Sequence, residues 1–456
     1  MTELAVIIRR SKYNRYSIAA LVSAIDLNLG DEARRVSIHF AGDTSELAEK
    51  ASILKKKVRK LITLYSFMTT ELPSTLDTLE RELKLLKRLG AIAIAGGPHA
   101  SGDPVGTLNL GFDYVVVGEA EETLPSLLRA FLEGLEEASI EGVVYREGDR
   151  YCYSGRPRPI DLDKYPNFPY WRGIYAPIEL TRGCNFACRF CQVSFTHGGV
   201  LRHRSLESTL ELARRTLESG RRDLRFITPN AFSYLGNGRE VNIDGLCSLV
   251  EGLEALTKSL GGRFFIGTFP SEVRPEHAAV EEAVRCIAGR VANKRIIIGA
   301  QSGSERVLKL MHRGHTVEDV VQAVETLNRH GFGADVDIII GFPGEAPEDL
   351  EATIRLCEYL TSRYKARIHA HYYLPLPGTP LAGLKPVRPS QKLLRRLFRL
   401  LGRGLLYGDW LKQYKLSWEI VRLYDAGVIV GIKGFRYVKK CSKVAIRPCP
   451  YAPLAS

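Results

Sequence analysis

The sequence predicts an α/β protein with a doubly wound parallel sheet at the front, a partial (β/α)6 barrel behind it and a basic extension at the end. Three observations lead there. Short apolar runs alternate with helix-period stretches over the first 150 residues, the signature of a parallel sheet with helical crossovers. The same alternation resumes at residue 174 and yields six strand-helix units by about residue 383. A chain of 456 residues is also too long for one ordinary core, and its length suggests about two or three domains. The expected divisions are 1–150, a linker at 151–173, the barrel at 174–384 and the extension at 385–456.

In the front unit the expected strands are 4–8, 36–40, 60–65, 91–95 and 113–117, each an apolar run bounded by polar or turn residues. Helical periodicity marks 16–27, 46–57, 75–89 and 121–132. Ligands of such sheets sit beyond the carboxyl ends of the strands. Those ends carry Ser66-Phe67-Met68-Thr69, Gly96-Gly97-Pro98-His99-Ala100 and Gly118-Glu119-Ala120-Glu121. Glycine directly after a strand lets backbone approach a ligand closely.

Glu147-Gly148-Asp149 between two β-rich runs signals a hairpin, and Pro157, Pro159, Pro166 and Pro169 signal an extended connection. Barrel strands are expected at 178–181, 223–227, 263–268, 295–300, 334–340 and 367–374. Ser205 is placed to cap the first barrel helix, Leu206, Leu210, Ala213 and Leu217 recur at helical spacing, and Gly220 stands where that helix should stop.

Composition narrows the class. Apolar residues at 45% and charged ones at 25% describe a globular protein. No apolar stretch reaches the ~20 residues of a membrane span, and the apolar run near the start is too short for a signal peptide, so the expected location is cytoplasmic. The first cysteine is Cys152 and the others are scattered, with no sign of a disulfide framework. The net charge is +13, and the segment from Lys385 onward, with sixteen Lys and Arg against Asp409, Glu419 and Asp425, accounts for all of it.

Three of the nine cysteines, Cys184, Cys188 and Cys191, lie in one loop at C-x3-C-x2-C spacing just after the first barrel strand. A loop this compact aims three thiolates at one point, and soft thiolates select iron-sulfur clusters, zinc or copper(I). A [4Fe-4S] cluster normally takes four thiolates, so three leave one iron open; a zinc knuckle or structural cysteines are the plainer readings. The spacing, with Phe190 before the last cysteine, resembles the signature of the radical S-adenosylmethionine (SAM) enzymes. In that family the open iron chelates SAM, and an electron from an external donor cleaves it to methionine and a 5′-deoxyadenosyl radical.

Further stretches resemble the branch that includes methylthiotransferases and cobalamin-dependent members. They are Ile298-Gly299-Ala300-Gln301-Ser302-Gly303-Ser304 followed by Met311-His312-Arg313-Gly314-His315-Thr316, then Ile340-Gly341-Phe342-Pro343-Gly344-Glu345, then Tyr373 to Pro380 with its Pro-Gly-Thr-Pro turn. The resemblance implies that Gln301 and Ser302 face SAM and that Gly341 and Gly344 lie against its adenine. Where the family often has Gly-Gly-Glu this chain reads Thr228-Pro229-Asn230-Ala231, which leaves Asn230 as the candidate for the SAM amino group. The front unit resembles the cobalamin-binding domain, itself flavodoxin-like, with Ser66, Thr69, Gly96, Gly97 and Gly118 around the corrin and its nucleotide tail. It lacks the Asp-x-His-x-x-Gly motif whose His ligates cobalt, so cobalamin would bind without a protein histidine on the metal, and His99 is not assigned to it. The activity implied is methyl transfer to an unactivated carbon. The alternatives are cobalamin-independent radical chemistry such as sulfur insertion or rearrangement, and a non-catalytic iron-sulfur protein that binds RNA. A methylthiotransferase is disfavoured, because that group carries three cluster cysteines in its front domain and this chain has none before Cys152.

In the extension, Leu394, Leu397, Phe398 and Leu401 fall on one helical face, with Lys392, Arg395, Arg396 and Arg399 largely off it. With Tyr407, Trp410, Tyr414, Trp418 and Tyr424 interleaved, this basic segment suits packing on the barrel with a solvated basic face, or an anionic partner, RNA or a lipid surface. A functional role for Arg313 is left open. Cys441 and Cys449 are read as ordinary buried side chains.

Overall fold

The buried, β-branched run Leu4–Arg9 (β1) is apolar on both faces, as a central parallel strand must be. Around it, the computed structural model, which describes residues 2–135, 140–431 and 438–439, assembles Val36–Ala41 (β2), Lys60–Ser66 (β3), Ile92–Gly96 (β4) and Tyr114–Val116 (β5). All neighbours are parallel, in the order β2-β1-β3-β4-β5. This is the doubly wound order whose crevice opens between β1 and β3. The hairpin Val143–Glu147 (β6) and Arg150–Tyr153 (β7) adds antiparallel to β5, so the front sheet continues three residues past the expected boundary. Helices Arg15–Leu29 (α1), Thr44–Lys55 (α2), Leu72–Arg88 (α3), Gly97–Gly102 (α4), Pro104–Asn109 (α5) and Thr123–Glu133 (α6) cover the two faces. The Asp43 side chain accepts from the Glu46 backbone N–H at 2.9 Å to cap α2.

The barrel begins with Ile178–Glu179 (β8) and Thr181–Arg182 (β9), followed by the cysteine loop, helix Val193–His197 (α7), strand Arg202–His203 (β10) and helix Leu206–Glu218 (α8). Ser205 caps α8 as expected, its Oγ accepting from Ser208 N at 3.1 Å, and Gly220 follows the helix with φ +87°. Next come Asp223–Leu224 (β11), Phe226–Ile227 (β12), Ile243–Leu260 (α9), Arg263–Phe264 (β13), Pro275–Ala278 (α10) and Glu281–Ile287 (α11). The long strands are Arg295–Gln301 (β14), Gly333–Ile340 (β15) and Ala366–Tyr372 (β16), separated by Glu305–Met311 (α12), Val317–Arg329 (α13) and Pro347–Arg363 (α14). Pairing is parallel throughout the β8-β12, β11-β13 and β14-β15-β16 ladders. Cys247 of α9 and Cys286 of α11 are joined by a disulfide, a pairing that the scattered cysteines did not suggest.

The first helix of the extension packs on the barrel, one of the expected arrangements, but through a different face. Gln391–Gly402 (α15) leads into Leu406–Tyr407 (β17), which pairs parallel with β16 and adds another strand to the barrel sheet. Leu393, Leu397 and Leu400 are the buried positions of α15, while Phe398 and Leu401 stay 44% and 37% exposed, so the helix is turned about one residue from the expected face. Arg396, expected off the packed face, pairs with Glu358 at 2.5 Å and with Glu351 of α14. Trp410–Asp425 (α16) then crosses to the front unit, where Ile420 and Ile429 join the core of the parallel sheet. Trp410 is fully buried, and Tyr407, Tyr414, Trp418 and Tyr424 are at least half-buried, which leaves none of them standing free to stack on bases. Val438–Lys439 (β18) pairs with β7. The extension is therefore a strap across both units. Cys441 and Cys449 lie outside the described residues. No helix among the described residues is long and apolar enough to cross a membrane.

Candidate functional site

The cysteine loop is set by backbone geometry. Gly183 has φ +87°, and a Cβ there would fall 2.2 Å from the Val200 carbonyl oxygen, so no other residue fits that turn. Cys184 N–H donates to Gly198 O at 3.2 Å, Cys191 N–H to Cys188 O at 3.0 Å and Arg189 N–H to Met311 O at 3.0 Å, which ties the loop to the end of α12. All three cysteines are free thiols; Cys188 is buried and the others are partly exposed. Burial of its sulfur pushes the Cys191 thiol up to about 12, so a thiolate there calls for a cation beside it. Phe190 packs against Val307, Met311, Phe342 and Tyr373, joining the loop to the ends of β15 and β16.

Cys188 has two cationic neighbours. Arg313 Nη1 donates to its sulfur at 3.5 Å and Arg274 Nη1 reaches it at 3.9 Å. Burial opposes the Arg313 charge, but Cys188, Glu272 and Glu276 outweigh it and hold the guanidinium above its usual range. Burial and the charge of Arg313 push Arg274 down, and its guanidinium also lies 3.4 Å from the Phe186 ring centroid. Sequence reasoning left Arg313 open and missed Arg274 and Glu272, which come from an irregular stretch with no periodic signal.

The strand-end candidates divide. Gln301 ends β14 with φ +68°, after a register shift that follows Ile298, and is buried. Gly341 has φ +76°, a Cβ there would meet the Tyr372 ring at 2.5 Å, and its N–H donates to Glu345 Oε2 at 2.8 Å. Gly344 has φ +83° and gives its carbonyl to Arg306. Ser302 is buried, and its Oγ lies 3.2 Å from Thr353 Oγ1 and accepts from Ser304 N at 3.1 Å. Asn230 is buried and engaged, with Oδ1 accepting from Arg274 N at 3.2 Å and Nδ2 donating to His277 Nδ1 at 2.7 Å. Each of its polar atoms keeps one further bonding position.

In the front unit, Asn14 Nδ2 donates to both Arg9 O and Ser66 O at 2.9 Å, so it fixes the crevice between β1 and β3. Gly97 has φ +87° and its Cα side is filled by Ser66 Oγ, 2.7 Å from where a Cβ would stand. Gly96 ends β4 in extended backbone, and Gly118 (φ +83°) donates its N–H to Ser101 Oγ at 3.0 Å. Thr69 Oγ1 lies 3.0 Å from His99 Nδ1. His99 is fully buried, burial pushes it down to about 4, and its Nε2 has no partner among the described residues. A neutral imidazole with an orphaned nitrogen beneath a Gly-Gly turn suits a ligand-bearing loop rather than a packing residue.

The carboxyl ends of both sheets meet. Gln192, next after the cysteine loop, donates to Pro98 O at 3.2 Å in α4 and to Pro377 O at 2.7 Å in the Pro-Gly-Thr-Pro turn. Gly102 of α4 lies against Pro377 so closely that a Cβ would sit 2.4 Å from its carbonyl oxygen. Beside this contact, Arg182 pairs with Glu121 at 2.7 Å, Glu179 at 2.7 Å and Glu119 at 3.5 Å, and Arg202 also pairs with Glu119. Burial alone would raise the Glu119 carboxyl, but His197, Arg202 and Arg182 hold it well below the usual range. This ion cluster joins the end of β5 to the strand that presents the cysteines.

Comparison with known proteins agrees with this geometry. Residues 178–357 match the Radical SAM superfamily and residues 31–128 match the B12 binding domain. The chain is similar to a tRNA-2-methylthio-N(6)-dimethylallyladenosine synthase of Anaplasma phagocytophilum, 28% identical over 352 residues that cover 75% of this chain and 72% of that protein. Its likeness to the Geobacter sulfurreducens protein of that name is 31% over 283 residues, 61% of this chain and 57% of the relative. Most such curated relatives are spanned over about half to two thirds of their length. Among solved structures, the radical SAM methyltransferase TsrM of Kitasatospora setae, with cobalamin and a [4Fe-4S] cluster bound, superposes with TM-score 0.64 at 16% identity, covering 85% of this chain and 76% of that one. The cobalamin-dependent SAM radical enzyme OxsB gives 0.60 at 17%, covering 78% and 52%. At these identities the likeness is one of fold. A [4Fe-4S] cluster and SAM are the cofactors of a radical SAM domain and cobalamin that of a B12 binding domain, and the free cysteines, the Gly97 turn and the orphaned His99 nitrogen suit them. Residues 178–357 are a radical SAM domain and follow a B12 binding domain at residues 31–128, the make-up of an enzyme of radical SAM type.

Proposed function

We propose that this protein is a cobalamin-dependent radical SAM methyltransferase acting on an unactivated carbon, with Cys184, Cys188 and Cys191 as the cluster ligands. The observation that carries the reading is the contact at Gln192, which holds the cysteine loop against the Gly-Gly turn of the front sheet. One substrate in that space would lie within reach of both cofactors. When bound, the cofactors supply reductive SAM cleavage, hydrogen-atom abstraction and methyl donation.

The protein's part is holding and exclusion. Arg313 and Arg274 place positive charge against Cys188, where cluster charge would otherwise be buried alone. Gly341 lets its strand end lie flat, and Glu345 fixes its N–H. Gly97 brings backbone against the crevice. Phe190, Phe342 and Tyr373 form an apolar wall beside the loop, which keeps water from a radical. The names of the curated relatives raise tRNA methylthiolation, but the front unit has no cysteine before Cys152 to hold a second thiolate-bound cluster. Partners remain part of the proposal: an external one-electron donor and, through the basic extension, an anionic substrate, RNA or lipid.

The test is anaerobic reconstitution of the cluster, addition of hydroxocobalamin, desalting and a visible spectrum, followed by a 5′-deoxyadenosine assay with reductant. Retained corrin and deoxyadenosine formation are expected. Loss of all corrin on desalting overturns the cobalamin reading while leaving the radical SAM assignment standing.

A further inference from the structure

A carboxylate and two imidazoles cluster on neighbouring barrel strands, β15 and β16. Ala334, Val336, Ile338 and Ile340 of β15, with Ile368, Ala370 and Tyr372 of β16, face the helical layer as part of the main core. Alternation along a strand then turns Asp335 and Asp337, and Arg367, His369 and His371, to the barrel interior. Asp337 stands directly opposite His369 in the register. Its Oδ1 lies 2.9 Å from His369 Nδ1 and its Oδ2 lies 3.7 Å from His371 Nε2, and the two imidazole centroids are 4.2 Å apart. The three groups can turn one ligand atom each to a common point, all within 4.8 Å of one another.

No nearby arginine among the described residues pairs with this carboxylate. Arg295 and Arg367, one rung lower, are taken by Asp335 at 2.6 and 2.9 Å. Among the described residues the ion pairs of Asp337 are with the two histidines alone. Partly buried Glu272, whose carboxyl burial and Asp337 push up, lies within electrostatic reach of Asp337 and His371. Asp337 is 11% exposed, whereas the imidazoles are 28% and 31% exposed, so the cluster is sheltered yet open on one side.

We propose that Asp337, His369 and His371 form a site for a divalent first-row metal ion whose open positions face the barrel interior and take an oxygen or nitrogen donor of the substrate. Two neutral imidazoles and one carboxylate make a donor set for zinc or iron(II), arranged on one side of the ion with the rest open. A metal about 2.1 Å from each donor sets neighbouring donors roughly 3 to 3.5 Å apart; the carboxylate–imidazole separations of 2.9 and 3.7 Å bracket that range, and the set as a whole, within 4.8 Å, closes by small side-chain rotations. The supports are also present. His369 is stacked on Tyr407 at 4.7 Å, which fixes its ring, and the Gln413 side chain of α16 lies 3.3 Å from His371 Nδ1.

Gln413 makes the inference specific. Tyr372 N–H donates to Gln413 Oε1 at 2.7 Å, so the amide offers its NH2 group to His371 Nδ1 and places the imidazole proton on Nε2. Metal at Nε2 requires that proton on Nδ1, and a ligating histidine donates it to an acceptor. Loading therefore needs the Gln413 amide to turn until its oxygen takes both protons. Gln413→Glu supplies an acceptor to both without any turn, and it should bind metal more tightly than the native protein.

The experiment uses the full chain with its cluster reconstituted, so that the loop cysteines are occupied by iron. The protein is incubated with zinc chloride and desalted, and zinc and iron are measured by elemental analysis. One zinc per chain beyond the cluster iron is expected. His371→Ala and Asp337→Asn should each lower zinc affinity at least about tenfold with iron unchanged, and Gln413→Glu should keep zinc through a chelator wash that strips the native chain. Absence of zinc in the native and Gln413→Glu proteins overturns the site, as does zinc retained equally in His371→Ala and Asp337→Asn. If Asp337→Asn does not fold, the His371→Ala and Gln413→Glu pair decides. Corrin retention and deoxyadenosine formation are read separately, so a missing zinc site leaves the methyltransferase reading untouched.

Discussion

Glu345 shows how a single residue reports on the strand ends. Burial pushes its carboxyl up to about 8, only partly offset by the N–H of Gly341, and Oε1 has no partner among the described residues. The native state therefore holds a proton that the unfolded chain releases above its ordinary pKa of about 4.3. Stability from this group is full below that value, falls as pH rises toward 8 and is flat beyond it. At about 1.4 kcal/mol per pKa unit the loss is a few kcal/mol. Glu345→Gln keeps an acceptor for Gly341 and should flatten this slope, seen as a smaller fall in denaturation midpoint between pH 5 and pH 8; an unchanged slope would show that Glu345 does not carry it. Gly97→Ala should act more locally. It places a methyl 2.7 Å from Ser66 Oγ at a positive φ, so corrin retention should drop with little change in cluster iron, and unchanged retention would separate the turn from the corrin. At this scale the sequence was most legible where chemistry is local in the chain: the cysteine spacing and the glycines at Gly97 and Gly341 name their own geometry. The partner of Ser302 could not be read, because Thr353, which engages its hydroxyl, lies about fifty residues away. Arg274 and Glu272 were missed because only the folded chain brings Arg274 beside Cys188 and Glu272 within electrostatic reach of Arg313 and Cys191.

Among the elements, the long apolar runs of the front sheet and β14 to β16 could be read directly, since period-2 burial demands them. The face of α15 could not. Leu393, Leu397 and Leu400 make one apolar stripe and Leu394, Leu397 and Leu401 another, and the glutamates of α14 that receive Arg396 decide between them. Strand β17, two residues long, has no pattern at all. The short strand that carries Arg182 matters beyond its length, because this one guanidinium pairs with Glu119, Glu121 and Glu179. Burial opposes its charge, and the surrounding carboxylates still hold it well above its ordinary range. Arg182→Met leaves those carboxylates without their shared cation, which should cost about 3 to 5 kcal/mol and shift the denaturant midpoint accordingly. A variant within about 1 kcal/mol of the native protein would mean that Arg202 and Arg204 suffice.

Across the whole molecule, two sheets point their carboxyl ends at each other, and the extension stitches them together. Asp103 of the front unit accepts from Val430 N–H at 3.1 Å and Gly431 N–H at 2.8 Å, so the strap is held at the helical turn between α4 and α5 that faces the barrel. The basic extension, for which packing on the barrel was one expectation, is in its described part a structural clasp across both units, with its aromatic residues at least half-buried. Its presence explains how two units joined by a proline-rich connection keep one relative placement. That placement is the central claim, since radical chemistry and methyl donation need their cofactors around one substrate. The most direct measurement is electron paramagnetic resonance of protein loaded with cob(II)alamin and the reduced cluster. The account predicts dipolar broadening or faster relaxation of each signal in the presence of the other, and no nitrogen splitting from a protein histidine on cobalt. Two independent, unperturbed signals would contradict it.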